Sequence, residues 1–562
     1  MPLLSRPQTA PEAPAARANE WPVTLVDVAD RAGLRHPSVY GGLERKRFII
    51  ETNGAGIAFL DYDDDGRLDV FVLSGTRLSE DARPGGTTPA GDAPSNRLYR
   101  NRGDGTFSDV TDAASLRRTG WASGVCVGDY DNDGRLDMLV TYYGQNVLYR
   151  NRGGGFEDVT ARAGLPEGGV RWGSGCSFVD YDRDGRLDLF VANYLAFDLA
   201  RAPEPGAGAN CVWKGIAVNC GPKGLPTDVN LLYHNRGEGT FADVSAASGV
   251  AKVTARYPMT AAAADFDEDG WPDIYVACDS TPSILYRNNR DGTFTDVALT
   301  SGVGYGEYGN IQAGMGLAVG DYDRDGRLDI LKTHFADDIP ALYRNLGGGL
   351  FEDIAALAGL GVQNRHVEWG AGMPDLDNDG WPDVMYVTGH VYPEIERHLP
   401  QHPHRGPRMV FRNDEGRRFE DVSARTGPGA TVPRSSRGAA FGDYDDDGDV
   451  DVLVMNMNEP PSLLRNDTKS SNRWLKVKLL GTQSNRAGIG ATVIVTVDGR
   501  RQAQAVLSQS SYYSHDDVRL HFGLGAARSA EKVEVRWPSG GTDVVRDVAS
   551  NRVLTVREGS GQ

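Results

Sequence analysis

The chain has 562 residues, with 77 acidic and 59 basic side chains and a formal net charge of −18 when His is neutral. This acidic excess argues against a nucleic-acid-binding protein, because phosphate contacts need clustered Lys and Arg. Gly is abundant at 70 residues, which predicts many tight turns, and the 40% share of hydrophobic residues excludes disorder for most of the chain. The sequence contains no run of about 18 apolar residues, so it predicts no transmembrane helix.

Residues 1–20 are rich in Ala and Pro, and we expect them to be disordered. They lack the basic start and the apolar core of a secretory signal peptide. Two interpretations stay open. Either the chain is cytoplasmic, or an export signal is missing from it.

A nine-residue acidic motif, D-x-D-x-D-G-x-x-D, dominates the chain from residue 61 onward. It occurs seven times, beginning at Asp61, Asp129, Asp180, Asp265, Asp321, Asp375 and Asp443, with starts 51 to 85 residues apart. A Gly- and Ala-rich apolar run precedes the motif and a β-branched or aromatic run follows it. This pattern predicts a β-hairpin with an acidic loop at its tip.

A second motif joins Arg-Asn or His-Asn to a Gly-rich turn and then to F-x-D-V/I. Its six copies are Asn101 to Val110, Asn151 to Val159, Asn235 to Val244, Asn288 to Val297, Asn345 to Ile354 and Asn413 to Val422. Each repeat therefore contains four short antiparallel strands. Four-stranded units that recur in this way are typical of a β-propeller.

The seventh repeat has Arg465-Asn466 but no F-x-D-V strand after it. The missing strand is found at the other end of the chain, where the segment from Trp21 to Leu34 matches that from Phe156 to Leu165. We therefore predict an all-β fold in which the N-terminal strand closes a seven-bladed propeller of residues 21–468. Residues 469–562 alternate apolar and polar positions and predict a separate, small β-sandwich-like domain.

The acidic loops have the composition of calcium sites, because Ca²⁺ takes six to eight oxygen ligands. Positions 1, 3, 5 and 9 supply carboxylates, Gly at position 6 allows the bend, and position 7 supplies a carbonyl. The predicted ligands are Asp61, Asp63, Asp65, Arg67, Asp69; Asp129, Asp131, Asp133, Arg135, Asp137; Asp180, Asp182, Asp184, Arg186, Asp188; Asp265, Asp267, Asp269, Trp271, Asp273; Asp321, Asp323, Asp325, Arg327, Asp329; Asp375, Asp377, Asp379, Trp381, Asp383; and Asp443, Asp445, Asp447, Asp449, Asp451.

Other interpretations of these loops fit less well. Ordinary Asp-Gly turns would not keep every Asp in seven copies, and an EF-hand needs flanking helices and a Glu at position 12. Mg²⁺ demands a tighter octahedron and keeps its waters. We expect up to seven calcium ions.

Together these motifs resemble the FG-GAP/VCBS repeats of calcium-binding β-propellers related to integrin α-subunits. The stretches Ser484 to Ala491, Leu520 to Gly525 and Val533 to Gly540 resemble the ASPIC/UnbV domain. The combination is similar to bacterial relatives of cartilage acidic protein. The resemblance implies a secreted, calcium-bound interaction protein. UnbV-type members also occur in enediyne natural-product gene clusters, which implies an alternative role in biosynthesis.

Two insertions carry further candidate residues. Cys211 and Cys220 lie in the first insertion, residues 201–228, where a disulfide would order the loop and would suit an oxidising compartment. Cys126, Cys176 and Cys278 are expected to be small buried core residues. The second insertion contains His390, His398, His402 and His404, which are either a transition-metal or substrate site or, as we favour, a solvated loop.

His366 and Glu368 are the candidates for catalysis. They could form a general acid/base pair near the channel, although a hydrogen bond on the blade face is the favoured interpretation. The leading functional hypothesis is a calcium-stabilised module, extracellular or periplasmic, that binds a protein or glycan. The alternatives are an enzyme or accessory protein that handles a small-molecule biosynthetic intermediate at the channel mouth, and a structural surface protein without a specific partner.

Overall fold

The computed structural model describes residues 21–78, 93–167, 169–362 and 364–561. The segment predicted to be disordered, residues 1–20, lies outside the described residues. Within them the chain forms short β-strands and helical turns of three to five residues, which confirms the prediction of an all-β protein. No helix in these ranges is long and apolar enough to cross a membrane.

The described strands of the repeat region fall into seven groups of four, here called sheets I to VII, and pairing of Arg171 with Gly144 joins sheets II and III into one eight-stranded sheet. The chain begins with β1 (Leu25–Asp27), followed by sheet I, with β2 (Ile57–Leu60), β3 (Asp69–Val72), β4 (Arg97–Asn101) and β5 (Phe107–Asp109), and by sheet II, with β6 (Trp121–Gly128), β7 (Asp137–Gly144), β8 (Val147–Asn151) and β9 (Phe156–Asp158). Sheet III contains β10 (Arg171–Val179), β11 (Asp188–Asn193), β14 (Leu231–Gly237) and β15 (Thr240–Asp243), and the small hairpin of β12 (Val212–Trp213) and β13 (Ile216–Ala217) lies between β11 and β14; sheet IV contains β16 (Pro258–Ala264), β17 (Asp273–Cys278), β18 (Ile284–Asn288) and β19 (Phe294–Asp296). Sheet V contains β20 (Leu317–Gly320), β21 (Asp329–Lys332), β22 (Ala341–Gly347) and β23 (Leu350–Asp353); sheet VI contains β24 (Glu368–Gly372), β25 (Val384–Thr388), β26 (Met409–Asn413) and β27 (Phe419–Asp421); and sheet VII contains β28 (Ser436–Gly442), β29 (Asp451–Asn456) and β30 (Ser462–Asn466) together with β1.

The helical elements connect these strands. The α-helical turns are Ala29–Ala32, Pro428–Thr431 and Ala298–Ser301, and the 3₁₀ turns are Ile49–Glu51, Leu199–Arg201, Ala209–Cys211, Val250–Lys252, Leu360–Val362, Pro393–Arg397 and Ser423–Arg425.

Sheet VII is completed by the N-terminal strand, as the sequence predicts. β1 pairs antiparallel with β30, with Leu25 opposite Asn466. The first strands of the seven sheets also contact one another in cyclic order, from β2 through β6, β10, β16, β20, β24 and β28 back to β2. This order is what the predicted seven-bladed ring requires. The blade number stays a prediction, which the order supports.

The C-terminal region forms two further sheets. Its strands are β31 (Arg473–Leu480), β32 (Thr492–Val497), β33 (Arg500–Ala505), β34 (Leu520–Gly525), β35 (Ser529–Arg536), β36 (Thr542–Ala549) and β37 (Arg552–Arg557). β34, β31 and β37 form one sheet, in which β31 and β37 are parallel, and β33, β32, β35 and β36 form the other. We call residues 469–561 the C-terminal module.

The C-terminal module is not packed as an independent unit. Its Ile489 and Val493 belong to the same buried cluster as Phe178 and Leu187 of sheet III. The connection from β33 to β34, Ser508 to Asp517, leaves the module and enters the ring between the first strands. We call it the axial segment. The sequence, which shows only a change of pattern near residue 469, could not reveal this insertion.

The axial segment is deeply buried. Tyr512 and Tyr513 have no exposed surface, and the Val125 N–H in β6 donates to the Tyr513 carbonyl at 2.9 Å. A Cβ atom on Gly56 would lie 1.8 Å from that carbonyl oxygen. The Gly-rich runs before the acidic loops therefore allow the close approach of the axial segment as well as the turns themselves.

Candidate functional site

The seven acidic loops fold alike around their first and last Asp. The first Asp accepts two backbone hydrogen bonds of 2.7–3.1 Å, from the N–H groups of the fifth and sixth loop residues. The last Asp also accepts two, one of 2.7–2.9 Å from the N–H of the Asn in the second motif of its repeat and one of 3.1–3.3 Å from the N–H of the second loop residue. Since each carboxylate has about four acceptor sites, these bonds leave capacity for a cation.

The carboxylates of one loop converge. In the loops that begin at Asp61 and Asp129, one oxygen from each of the first, third and ninth residues lies within 4.8 Å of the others. In the loops that begin at Asp180 and Asp265, oxygens of the first, third and fifth residues converge in the same way. An ion with ligands at about 2.3–2.6 Å fits among oxygens at such distances.

The last Asp of each loop is buried, with at most 2% of its surface exposed. Burial is the main cause that raises the pKa of Asp69 to about 8 and that of Asp137 to about 9, and neighbouring aspartates contribute. The pKa of Asp451 is raised for the same reasons. Such a group is stable as an anion at neutral pH only beside a cation, so the donor set fits a hard divalent ion.

The residues at position 7, predicted to supply carbonyl ligands, have a shared backbone contact. The N–H of each donates to a carboxylate oxygen of the fifth residue at 2.9–3.0 Å. These bonds hold the turn after Gly at position 6, whose φ in the first loop is 88°. That conformation requires Gly, as the sequence predicts.

The Asn of the second motif has a role that sequence reasoning missed. Asn288 donates from Nδ2 to the Tyr181 carbonyl, at 2.8 Å, in the acidic loop of the preceding sheet, and to the Pro272 carbonyl of its own loop at 3.2 Å. The other six make the same bond to the preceding loop: Asn101 to Tyr444, Asn151 to Tyr62, Asn235 to Tyr130, Asn345 to Phe266, Asn413 to Tyr322 and Asn466 to Leu376. The series links sheet I back to sheet VII.

An Arg beside this Asn contacts the Asp at the third position of the loop. Arg100 Nε lies 2.6 Å from Asp63 Oδ2, and Arg150 Nε lies 2.5 Å from Asp131 Oδ2. The recurring Arg-Asn or His-Asn pair in the repeats was the signal that could have indicated both contacts. The sequence shows it, but not which loop each side chain reaches.

The histidines of the second insertion do not form a solvated loop. His390 and His402 are buried, and their rings lie 4.9 Å from the ring of Trp213 in the first insertion. His402 Nε2 lies 3.2 Å from Lys214 Nζ, which can only donate, and His402 Nδ1 lies 3.3 Å from the Arg365 carbonyl. The expectation of solvation is therefore wrong for His390 and His402.

His398 and His404 complete the predicted histidine group. His398 is exposed, whereas His404 is half-buried and its carbonyl accepts the N–H of His390 at 3.0 Å. Burial, with nearby Arg437 and Lys46, lowers the pKa of His404 to about 3. Within the group, His390 and His402 join the two insertions by packing against Trp213.

His366 and Glu368 have different partners. His366 Nε2 accepts from Arg365 Nε at 3.2 Å, and burial lowers the His366 pKa to about 4. Glu368 Oε2 accepts the backbone N–H of His334 at 3.3 Å, and burial raises the Glu368 pKa. The Glu368 bond joins sheets V and VI.

Four cysteines are paired. Cys211 and Cys220 form a disulfide in the first insertion, the pairing expected there. Cys126 and Cys176 are buried as expected, but they also form a disulfide, which joins β6 to β10. Their spacing of 50 residues spans two repeats, so only the packing of neighbouring sheets shows that they meet. Cys278 is free and buried.

The insertions and the acidic loops lie at opposite ends of the sheets. Each acidic loop joins the first strand of a sheet to the second, whereas the insertions after β11 and β25 join the second to the third. In antiparallel sheets these two connections are at opposite ends. The C-terminal module contacts the acidic-loop end, and we call the other end the insertion face.

Comparisons with known proteins assign the repeats. Residues 61–140, 129–191, 224–276, 265–331 and 375–454 match the FG-GAP-like repeat, and residues 481–562 match the ASPIC and UnbV domain. The chain is similar to cartilage acidic protein 1 of Mus musculus, with 26% identity over 90% of this chain and 73% of the relative, and to that of Homo sapiens, with 26% identity over 78% and 63%. It thus spans about two thirds of the length of these relatives.

Among solved structures, the extracellular domain of a putative hybrid two component system from B. thetaiotaomicron is similar over 91% of this chain and 49% of that one, with 10% identity and a TM-score of 0.39.

Proposed function

Because the chain belongs to the family of FG-GAP-like repeat proteins with a C-terminal ASPIC and UnbV domain, we propose that it is a calcium-dependent interaction module that works outside the cytoplasm. Calcium is structural in this proposal. It neutralises the acidic loops and holds the hairpins whose far ends carry the insertions.

The buried last Asp of each loop carries the proposal. Asp137 has no exposed surface, and burial raises its pKa to about 9 without a cation. Seven copies of so costly an arrangement are explained if each carboxylate meets a divalent ion. The donors in the loops are carboxylate and carbonyl oxygens, which favour Ca²⁺ over softer metals, and the irregular loop favours it over Mg²⁺.

Two observations support a location outside the cytoplasm. The described residues contain two disulfides, which persist in oxidising compartments. Extracellular calcium modules also have dissociation constants on the order of 10⁻⁴–10⁻³ M, so their sites fill only where calcium is abundant.

The insertion face is the proposed binding face, for a protein or glycan. It carries the disulfide-bonded first insertion and the second insertion, which meet at Trp213. The opposite end is covered by the C-terminal module. The alternative of a biosynthetic enzyme needs a pocket at the channel mouth, whereas the axial segment is buried along the channel and Trp213 packs against His402 on the insertion face.

Calcium titration and thermal unfolding test the proposal. At ten to a hundred times the dissociation constant, each ion stabilises the folded chain by about 1.4–2.7 kcal/mol. We expect several ions per chain by isothermal titration calorimetry and a large fall in Tm with excess EGTA. An unchanged Tm would exclude a structural role for calcium.

A matched pair of variants assigns the ions to the loops. Asp137→Asn removes the buried last ligand of the second loop, and we expect one ion fewer per chain. Asp104→Asn, in an exposed turn where Asp104 accepts from Thr106, is the control and leaves the stoichiometry unchanged. If both variants bound the same number of calcium ions per chain, the acidic loops would not be the calcium sites.

A further inference from the structure

The fourth residue of every acidic loop has an unusual backbone. Its φ lies between 57° and 61°, the left-handed region, although none of the seven is Gly: Asp64, Asn132, Arg183, Glu268, Arg324, Asn378 and Asp446. L-residues adopt this region rarely and at a cost in free energy. All seven loops share this conformation, so it belongs to the loop turn itself, and the fourth side chain is not among the predicted cation ligands.

Fourth residues of the loops contact the C-terminal module. Asn132 Oδ1 accepts the N–H of Arg486 at 2.9 Å, and Arg183 Nε donates to the Pro538 carbonyl at 2.7 Å. Asn378 Oδ1 lies 2.7 Å from Nε2 of His521. Three different loops thus present their fourth side chain to three different parts of the module.

Opposite charges add to this interface at the seventh loop. Lys476 of β31 is buried, and its Nζ lies 2.5 Å from Asp443 Oδ2 and 3.4 Å from Asp446 Oδ1. Arg519 contributes a second cation, 3.6 Å from Asp446. Removing one partner of a buried ion pair is strongly destabilising, so this contact ties the module to the loop.

The axial segment depends on the same interface. It contacts the first strand of every sheet, through the following groups: Phe59 N–H to the His515 carbonyl (3.1 Å), Val125 N–H to the Tyr513 carbonyl (2.9 Å), Cys176 N–H to Gln509 Oε1 (3.1 Å), Met259 Sδ with Tyr513 Oη (2.7 Å), Leu317 N–H to the Ser511 carbonyl (2.6 Å), the ring of Trp369 with that of Tyr512 (5.0 Å), and Phe441 N–H to Asp516 Oδ1 (2.8 Å). Because β33 and β34 of the module hold both its ends, it reaches these strands only while the module is docked.

We propose that the acidic-loop end is a docking surface for the chain's own C-terminal module, and that cation binding in the loops controls docking and thereby the insertion of the axial segment. This inference rests on the proposed calcium function. In this proposal, calcium bound in the loops keeps the axial segment inserted between the first strands of the sheets.

The direction of the control follows from the loops. Without cations, four carboxylates within one short loop repel one another, and this repulsion opposes the compact turn. The compact turn is what keeps the fourth residue left-handed and its side chain in reach of the module. A bound cation favours that turn, so calcium favours the docked state.

Hydrogen–deuterium exchange of the full chain tests the proposal. In excess Ca²⁺ we expect the amides of residues 508–515 to be as protected as those of β28. With excess EGTA we expect exchange in residues 508–515 to rise on the order of tenfold or more, ahead of the strand amides of the sheets. Protection that is equal with and without calcium would overturn the control by cations.

Variants separate docking from metal binding. Asn132→Ala/Arg183→Ala removes two docking contacts, and neither residue is a predicted ligand. We expect faster exchange in residues 508–515 at saturating Ca²⁺ with unchanged calcium stoichiometry. Asp64→Ala is the control, since it places Ala at the same left-handed position and Asp64 has no hydrogen bond or ion pair among the described residues. Equal exchange in the double variant and the control would contradict the docking role.

The two proposals fail in different ways. If calorimetry detects calcium but residues 508–515 stay protected after chelation, the inference is wrong and the proposed function stands. If calorimetry detects no calcium binding, the proposed function and the control by cations both fall.

Discussion

At the scale of single residues, the Asn of the second motif is the clearest link between neighbouring sheets. Its Nδ2 satisfies two buried carbonyls at once, one in its own acidic loop and one in the preceding loop. Leaving buried acceptors without donors costs about 1–3 kcal/mol each. One side chain per repeat thus couples each acidic loop to the next.

The variant Asn288→Ala tests this link. We expect it to lower the free energy of unfolding by about 2–3 kcal/mol, because the carbonyls of Tyr181 and Pro272 lose their donor. Asn289→Ala is the control. Asn289 hydrogen-bonds only within its own turn, and we expect a change of about 0.5 kcal/mol or less. Urea unfolding in calcium measures both, and equal losses would contradict the assigned role.

At the scale of elements, the three-residue strand β1 is short, yet sheet VII is incomplete without it. It supplies the fourth strand of sheet VII from the opposite end of the chain, with Leu25 opposite Asn466. Sheet VII therefore depends on pairing between residues more than 400 positions apart, as in the hydrogen bond from Trp21 Nε1 to Thr426 Oγ1 at 3.0 Å.

The neighbouring residues Leu25 and Val26 allow a test of that pairing. Leu25 has no exposed surface, whereas Val26 is half-buried. We expect Leu25→Ala to cost about 2–4 kcal/mol of unfolding free energy, and Val26→Ala about 1 kcal/mol or less. Denaturant unfolding monitored by tryptophan fluorescence gives both values. A cost for Leu25→Ala no larger than that for Val26→Ala would mean that β1 does not stabilise sheet VII.

At the scale of the whole molecule, charge is organised by the loops. The net charge is −18, and each of the seven loops concentrates at least four carboxylates. If the ions bind as proposed, seven divalent cations would offset most of that charge. The acidic composition would then reflect a ligand set more than a surface for a basic partner.

The stability of the metal-free protein should depend on pH through these loops. The folded-state pKa of Asp69 is about 8 and that of Asp137 about 9, above the usual 3.8, so the folded state binds more protons than the unfolded state. The stability that this uptake contributes is complete below pH 3.8 and is lost as pH rises through the folded pKa. Each net proton changes the free energy of unfolding by about 1.4 kcal/mol per pH unit.

The measurement is Tm between pH 6.5 and 8. Buried histidines such as His366, whose pKa is lowered from 6.5 to about 4, make stability rise with pH, but mainly below pH 6.5. Between pH 6.5 and 8 the carboxyl groups therefore set the direction of the change. We expect Tm to fall with rising pH in EGTA, and not in saturating Ca²⁺, where the cations stabilise the anions. A Tm in EGTA that rises over this range would contradict the assignment of buried, protonated aspartates.

Much of the molecule could be predicted from local patterns. D-x-D-x-D-G-x-x-D places the turn, the Gly and the carboxylates within nine residues, and alternation predicts the flanking strands. The match between Trp21 to Leu34 and Phe156 to Leu165 even predicted the strand that completes sheet VII. These features depend on residues close in sequence or on a repeat compared with itself.

By itself, then, the sequence determined the repeat, the all-β class, the acidic loops and the role of the N-terminal strand. Only the tertiary structure decided that Ser508 to Asp517 fills the axis, that His390 and His402 pack around Trp213, and that Cys126 meets Cys176. The physical reason is that these contacts join segments from different repeats or modules. Their free energy comes from burial and hydrogen bonds between surfaces that no local pattern records, because those surfaces face each other only in the folded molecule.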